Sequence, residues 1–321
     1  MKISIERLNA LATKISIKKW KANLSVKTPK EYTNFANVLC VFQTFNKSHL
    51  IKFVLRPFVK NNFKNILLFA DGCVDKTVQK ASLLLDGKNH AVISVNNVHE
   101  IQNYRFAVNS EWGKTAEFSL LMQDDDIYPE DFSWLEYGLK MMSADPKLVV
   151  IGFAGGYDFL KMHQPSETYE TDSFFANEGF CGIEDTWVAK NVIPTRQTKF
   201  SFQYCQVVFR APHLIRNAEF LKNTNFDPLF EPYQDDDTNY CLELWSKGFR
   251  VGLVTGVEIA RNIGISGMRL SKFMTVNKRP YHTKRNYSYI HSRYADFINT
   301  GQLENTVKAA NDRIVKKFVY L

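Results

Sequence analysis

The chain has 321 residues, a net charge of +8 and a hydrophobic content of 45%. This length suits one large α/β domain with appendages or two small domains, and no stretch approaches the roughly 20 apolar residues that span a bilayer. The five cysteines are scattered without a CxxC pair, which argues against a zinc site and a disulfide framework. Reduced thiols, and an N-terminus without a continuous apolar leader, predict a cytoplasmic protein.

Much of the positive charge lies at the N-terminus, where residues 1–30 contain eight Lys or Arg residues and one Glu, a local charge of +7. Apolar residues near helical spacing accompany these charges. Two interpretations stay open: an amphipathic segment in peripheral contact with an anionic membrane, or a helix packed on the same chain. The basic residues concentrate in the ends rather than on a core face with interleaved aromatic residues, so we expect no nucleic-acid partner.

Five apolar segments predict the strands of a sheet, at residues 38–42, 66–70, 91–95, 118–123 and 148–153. A helical pattern follows each of the first four segments. Strands that alternate with helices at this spacing form parallel sheets with right-handed crossovers. The sequence therefore predicts an α/β fold with a doubly wound, mostly parallel sheet.

The second half of the chain has a weaker pattern. Residues 155–200 are aromatic, polar and rich in turn-forming residues, which is typical of a functional loop. Further along, the sequence predicts a strand at 204–209, a helix after Pro212, a helix that begins at Asp235, and a last strand at 250–254.

Three consecutive aspartates, Asp124 to Asp126, close the predicted strand at 118–123. In open α/β sheets, ligands bind just outside the carboxyl ends of the strands. Carboxylates packed there repel one another unless a cation neutralises them, and oxygen ligands favour a hard ion such as Mg²⁺ or Mn²⁺. The segment therefore predicts a divalent-metal site suited to a diphosphate-bearing substrate. The alternative is a solvated acidic turn before the helix that starts near Pro129.

Four segments follow one another in an order that is typical of one enzyme family. They are the turn Thr44-Phe45-Asn46-Lys47 (T-x-N-R/K), residues 69–77 (D-D-G-S-x-D-x-T), residues 123–129 (D-x-D-D-I-x-P) and residues 226–250 (F-D-x-x-F…E-D-x-D…L…G-y-r). Together they resemble the inverting GT-A nucleotide-sugar glycosyltransferases of the family 2 type. The resemblance covers roughly residues 37–267. Residues 124–146 also resemble the metal strand and following helix of eukaryotic N-acetylglucosaminyltransferases.

The resemblance implies a GT-A (Rossmann-like) domain at residues 35–267, between a basic N-terminal extension at 1–34 and a C-terminal extension at 268–321. It implies a metal-dependent, inverting enzyme of polysaccharide biosynthesis. Such an enzyme moves a sugar from a nucleotide-diphosphate donor, a UDP-sugar foremost, to a hydroxyl of a glycan or lipid-linked acceptor. Mn²⁺ or Mg²⁺ is the expected cofactor, held at a DXD-type motif.

The resemblance also implies roles for individual residues. Asp125 is expected to be the first metal ligand, with Asp126 as its neighbour. Asp235 matches the catalytic base, which would take the acceptor's hydroxyl proton as the oxygen attacks the anomeric carbon. The residues expected to bind the donor's base, ribose or diphosphate are Thr44, Phe45, Asn46, Asp71, Arg105, Asp124 and Arg261.

Simpler interpretations exist for several of these residues. Asp71 precedes Gly72 and suits a turn, while Asp235 suits a helix N-cap, a position that would also hold a carboxylate rigidly. Arg105 could belong to a helical surface pair, and Arg261 could be a surface arginine.

Three positions depart from the family pattern. Ala70 replaces the first Asp of D-D-G, Gln234 replaces the Glu before the expected base, and residues 260–267 lack the histidine that many members have. These departures keep a second hypothesis open, a catalytically inactive glycosyltransferase-like binding protein. A sugar-phosphate nucleotidyltransferase is a third hypothesis, although the turn at 43–46 lacks the glycine-rich phosphate loop of those enzymes.

Overall fold

A computed structural model of the chain describes residues 35–85, 90–159, 178–182, 200–209, 211–232, 235–260, 263 and 279–318. The predictions for the basic N-terminal segment and for Arg261 lie outside these residues. The chain divides into two compact units, residues 1–133 with 258–276 and residues 134–257 with 277–321. The three-part division expected from the sequence stays a prediction.

The first unit is built on four strands, β1 (Val38–Thr44), β2 (Asn65–Asp71), β3 (His90–Val95) and β4 (Phe118–Met122). All four are parallel, in the order β3-β2-β1-β4. β1, β2 and β4 are nearly continuous runs of buried residues, as expected of strands in a parallel sheet that is covered on both faces. The strand predictions for this part of the chain are confirmed.

Helices connect these strands, as parallel neighbours require. They are α1 (Ile51–Lys60), α2 (Thr77–Ser82), α3 (His99–Asn109) and α4 (Glu111–Thr115). Aromatic rings from α1 and the loops pack beside the sheet, with ring centroids 4.9 Å apart for Phe58 and Phe132 and 4.6 Å apart for Phe63 and Phe132. This packing anchors α1 and, through it, the end of β1.

The second unit contains two sheets. Its strands are β5 (Leu148–Gly152), β6 (Gly155–Phe159), β7 (Glu178–Gly182), β8 (Ser201–Tyr204), β9 (Val207–Phe209), β10 (His213–Arg216) and β11 (Arg250–Thr255). In the order β10-β5-β11-β8, β11 is parallel to β5, whereas β10 and β8 pair antiparallel to their neighbours. A small antiparallel sheet has the order β7-β6-β9.

The prediction of a single strand at 204–209 is wrong, because the chain turns at Cys205 and Gln206 and passes from one sheet to the other. The Cys205 N–H donates to the Val251 carbonyl at 3.2 Å, and the Gln206 N–H donates to the Asp158 carboxylate at 2.7 Å. The predicted helix after Pro212 begins only after β10. In the region expected to be irregular, the structure has the strands β6 and β7.

The helices of the second unit are α5 (Ser133–Ala144), α6 (Asn217–Asn223), a 3-10 turn (Pro228–Phe230), α7 (Asp236–Ser246), α8 (Arg279–Asn299) and α9 (Gln302–Phe318). α9 covers an edge of the larger sheet. Asn311 Oδ1 accepts a hydrogen bond from the Tyr204 N–H at 2.8 Å, and Asn311 Nδ2 donates one to the Tyr204 carbonyl at 3.0 Å. None of the described helices combines the length and the apolar character needed to cross a bilayer.

Candidate functional site

The first unit brings the ends of β1 and β4 together at one edge of its sheet. The two strands are parallel neighbours with Phe42 opposite Met122, so the residues that follow each strand lie side by side. There the Phe45 N–H donates to Asp124 Oδ2 at 2.8 Å. The structure therefore joins two of the residues predicted to bind the donor.

Lys47 lies at the same edge and was not among the predicted site residues. Its side chain is almost completely buried, at 2% exposure, and its Nζ lies 3.6 Å from Asp124 Oδ1. Burial raises the pKa of Asp124 above its usual value, and the Lys47 ammonium opposes that shift. Asp124 is thus paired with a cation that the protein itself supplies. The T-x-N-R/K pattern marks this lysine, but its partner becomes visible only in three dimensions.

A further carboxylate reaches this edge from α3. Glu100 accepts hydrogen bonds from the Tyr104 hydroxyl at 2.8 Å and from Gln123 Nε2 at 3.4 Å. Burial, together with the nearby charges of Asp124 and Asp125, raises the pKa of Glu100 to about 7. Sequence reasoning missed this residue because a Glu four positions before a Tyr is ordinary on a helix surface. Glu100 and the three aspartates at 124–126 are called the acidic edge below.

The other two aspartates of the acidic edge differ in exposure. Asp126 is buried, at 2% exposure, whereas Asp125 is half-buried. Their backbone is held in place, because the Asp125 carbonyl accepts the Ile263 N–H at 2.7 Å and Ile127 exchanges two hydrogen bonds with Ala260. Asp125 is therefore the most accessible carboxylate of the three.

A metal ion fits this edge if a bound diphosphate supplies the remaining ligands. In the part of the chain that the structure describes, no group of three or more Asp, Glu, His or Cys side chains is arranged to hold a metal. Asp124 already contacts Phe45 and Lys47, and Asp125 is the most accessible of the three aspartates. Mg²⁺ in nucleotide enzymes is commonly bound by one or two carboxylates together with substrate phosphates. The residues present fit a metal site that a diphosphate completes.

The turn after β1 is fastened to the segment after β2. Asn46 Oδ1 accepts the Val74 N–H at 2.9 Å, and the Ser48 N–H donates to Asp75 Oδ2 at 3.0 Å. Asn46 has a φ of 53°, in the left-handed region where asparagine is enriched. The predicted donor-binding residue Asn46 therefore also holds two loops together, beside the buried Thr44 at the end of β1.

Asp71 ends β2 and holds the start of α3. Its two carboxylate oxygens accept the Val98 N–H at 2.7 Å and the His99 N–H at 2.9 Å. The side chain is buried, so the turn interpretation from the sequence understates its role. Each carboxylate oxygen has two lone pairs, and binding of a base by Asp71 stays a prediction.

Of the two arginines predicted to bind the donor, Arg105 lies within the described residues and Arg261 does not. Arg105 is exposed on α3, where its carbonyl accepts the Asn109 Nδ2–H at 2.7 Å, the arrangement expected of a helical surface pair. Its contact with a donor stays a prediction. Arg261 lies outside the described residues, between Ala260, which pairs with Ile127, and Ile263, which donates to the Asp125 carbonyl.

The predicted catalytic base lies in the second unit. Asp235 precedes α7 with a φ of 68°, a left-handed conformation that costs a non-glycine residue about 1 kcal/mol. Its side chain makes no capping hydrogen bond to the helix, which argues against the N-cap interpretation. Its carbonyl accepts the Asn239 N–H at 2.9 Å. Backbone strain of this kind is concentrated at functional sites.

Side chains from other elements fix the start of α7. The Tyr157 and Thr238 hydroxyls are 2.7 Å apart, and the Tyr294 hydroxyl donates to Asn239 Oδ1 at 3.2 Å. Asp235 is thus attached to a helix whose first turn is tied to β6 and α8.

No family model matches the chain, and no curated protein sequence matches it. Solved structures do match. One is S. aureus TarS 1-349, with a TM-score of 0.44 and 13% identity over 67% of this chain and 57% of that chain. The same protein in complex with UDP-GlcNAc matches with a TM-score of 0.41 and 14% identity over 67% of this chain and 55% of that chain.

A further match is GalNAc-T7, solved with UDP, GalNAc and Mn²⁺. It has a TM-score of 0.51 and 11% identity over 76% of this chain and 51% of that chain. The chain therefore spans between half and three fifths of the length of these proteins. The likeness to GalNAc-T7 confirms the predicted fold, the α/β GT-A fold of nucleotide-sugar glycosyltransferases. Assignment to family 2 stays a prediction.

Proposed function

We propose that the protein is a glycosyltransferase that takes its sugar from a nucleotide-diphosphate donor, a UDP-sugar foremost. The observation that carries the proposal is the acidic edge, where Asp124, Lys47 and the Phe45 backbone meet after β1 and β4. Ligands of open α/β sheets bind at this end of the strands. GalNAc-T7, which has the same fold, was solved with UDP and Mn²⁺.

In this proposal the residues of the first unit hold the donor. Asp71 and the turn Thr44-Phe45-Asn46 form the pocket for the base, and Asp124 contacts the ribose. Asp125, with Asp126 as its neighbour, holds Mn²⁺ or Mg²⁺, which when bound neutralises the diphosphate and stabilises charge on the leaving nucleotide. Lys47 holds Asp124 in place, since its buried ammonium lies 3.6 Å from Asp124 Oδ1 and opposes the rise in pKa that burial causes.

Asp235 is the general base in this proposal. Asp235 takes the proton of the acceptor hydroxyl while that oxygen attacks the anomeric carbon and the nucleotide diphosphate leaves from the opposite face. A single displacement inverts the configuration of the sugar. The left-handed backbone of Asp235 supports the proposal, since backbone strain of this kind is concentrated at functional sites.

The acceptor and the location are proposed from the sequence. We propose a glycan or lipid-linked acceptor in polysaccharide biosynthesis, and a cytoplasmic enzyme. The +7 charge of residues 1–30 would bring the enzyme to an anionic membrane surface, where a lipid-linked acceptor is found.

A catalytically inactive binding protein is the second candidate. Ala70, buried at the end of β2, stands where the family has an aspartate, so this pocket has one carboxylate fewer. The remaining Asp71 already accepts two backbone hydrogen bonds. Both observations favour weaker recognition of a base than the family pattern provides.

Donor hydrolysis separates these two candidates. The full chain is screened against a panel of nucleotide sugars, with and without Mn²⁺, by thermal shift and by release of free nucleotide. An enzyme should be stabilised by at least one UDP-sugar and should hydrolyse it slowly when Mn²⁺ is present. Stabilisation without any release would favour the binding protein, and no stabilisation by any nucleotide sugar would contradict both candidates.

A further inference from the structure

A cleft in the second unit is lined by cations and neutral residues and, within the described part of the chain, by no carboxylate. Its volume is about 680 Å³, within the range of small-molecule sites. It lies at the amino-terminal ends of β5 and β11, between the carboxyl end of α7 and the first turns of α9. We call it the basic cleft.

Three cations line the basic cleft: Lys147, Arg250 and Arg313. Arg250 is fixed in position, since its Nη1 donates to Asp145 Oδ2 at 2.7 Å and its guanidinium lies 5.5 Å from the centre of the Tyr204 ring. Lys147 and Arg313 are exposed, and among the described residues neither forms a salt bridge with a carboxylate. The cleft thus combines one anchored charge with two solvent-facing charges.

Neutral hydrogen-bonding groups lie between these charges. Gln302 and Asn305 present exposed amides from the first turn of α9, where the helix dipole adds positive potential. Glu304, in the same turn, does not line the cleft. The half-buried ring of Phe249 supplies an apolar surface, and a Cβ on Gly248 would meet nothing within 4 Å, so the cleft is open there. Amides and an aromatic ring suit sugar rings, and cations suit acid groups.

The basic cleft is separate from the proposed catalytic base. Trp245 and Gly248 line it at the carboxyl end of α7, whereas Asp235 stands before the first residue of that helix. The 11 residues of α7 span about 16 Å at 1.5 Å per residue. A ligand in the cleft therefore does not occupy the place of Asp235.

We infer that the basic cleft is a second, non-catalytic binding site for an acidic oligosaccharide, one that carries carboxylate or phosphate groups. The cations pair with the acid groups, and the amides and Phe249 hold the sugar rings. An inorganic anion would use the charges but not the volume of about 680 Å³. The inference does not depend on catalysis, because it concerns binding at a place other than the acidic edge.

Calorimetry on the full chain tests the inference with hexagalacturonic acid as the probe, at about 0.15 M salt to screen non-specific attraction. Two cleft variants are compared with wild type. The double variant Lys147→Gln with Arg313→Gln should bind about tenfold more weakly, the effect expected from two exposed charge contacts. Ala309→Trp, an exposed change on α9, keeps every charge but fills the cleft, and it should also weaken binding.

Matched control variants distinguish binding at the basic cleft from general attraction of the probe to a basic protein. Lys140→Gln with Lys308→Gln removes the same net charge from exposed positions of the second unit outside the cleft, so affinity for the probe should change by less than about twofold. Affinity for UDP should be unchanged in every variant. Any of four results would overturn the inference. Two concern the probe: equal losses of affinity in the two double variants, or equal binding of the methyl-esterified probe. The other two are competition by inorganic sulfate alone and a preference for a single-stranded oligonucleotide.

Discussion

The acidic edge of the first unit and the basic cleft of the second unit hold opposite charges in opposite ways. At the acidic edge, Asp124 is buried and has a protein partner for each oxygen, in Phe45 and Lys47. In the basic cleft, Lys147 and Arg313 are exposed. Buried charges need partners to remain in a fold, whereas exposed charges are free to meet a ligand. Substitution of Lys47 should therefore change stability, and substitution of Lys147 or Arg313 should change binding alone.

The largest effect is expected at Lys47, because its removal leaves the Asp124 carboxylate buried without a cation. Lys47→Met should lower the free energy of unfolding by about 3–5 kcal/mol, and adding Asp124→Leu should recover part of that loss. Denaturant unfolding measures both. Lys147→Met, in the cleft, is the matched control and should stay within about 0.5 kcal/mol of wild type. Equal stability of the Lys47 and Lys147 variants would break the comparison.

The next effect concerns turnover. Asp235→Asn should lower kcat by at least about 100-fold and leave donor affinity unchanged, because a general base acts in the chemical step. Asp236→Asn, one residue later in the same turn, is the control and should retain turnover. NMR of the product should show the anomeric configuration opposite to that of the donor. Retention of configuration, or an Asp235→Asn enzyme of normal rate, would remove the proposed role.

A smaller effect is expected for the metal. Calorimetry should show that UDP binds at least about tenfold more tightly with Mn²⁺ than with EDTA, because diphosphate and carboxylates share the ion. Asp125→Ala should abolish that difference, and Glu117→Ala, an exposed change elsewhere in the first unit, should preserve it. Equal affinity of the wild-type chain in Mn²⁺ and EDTA would contradict the metal site.

The smallest effect is a pH dependence at Glu100. Its pKa of about 7 in the folded chain lies above the ordinary value of 4.5, so the folded chain binds this proton more tightly and stability falls as pH rises through this range. Glu100→Gln should be more stable than wild type by about 1–2 kcal/mol near pH 8 and nearly equal to it near pH 5. Thermal unfolding in EDTA checks this, and a difference independent of pH would refute it.

The sequence predicted the first unit more accurately than the second for a physical reason. β1, β2 and β4 are short apolar runs in a parallel sheet, a local signal that needs no knowledge of partners. The segment 204–209 has the same local signal, yet its halves pair with different strands, β8 with β11 and β9 with β6. Which strand a residue pairs with is a tertiary property, and single-sequence patterns do not contain it.

The same limit applies to the candidate site. The aspartates at 124–126 were found because consecutive carboxylates after an apolar strand are conspicuous in sequence. Lys47 and Glu100 were missed because their significance lies in burial and in partners 77 and 23 residues away, Asp124 and Gln123. The two exposed cations of the basic cleft, Lys147 and Arg313, are likewise brought together only by the fold of the second unit.

The link between the two loops that follow β1 and β2 bears on engineering. Asn46 and Ser48 are fastened to Val74 and Asp75 by two hydrogen bonds of 2.9 and 3.0 Å. The two loops therefore form one hydrogen-bonded unit. A designer who transplants the first loop from another enzyme to change the preferred nucleotide would replace the Asn46 side chain that accepts the Val74 N–H and the backbone that donates to Asp75. The smallest exchangeable module here is a pair of loops, residues 44–48 together with 71–77.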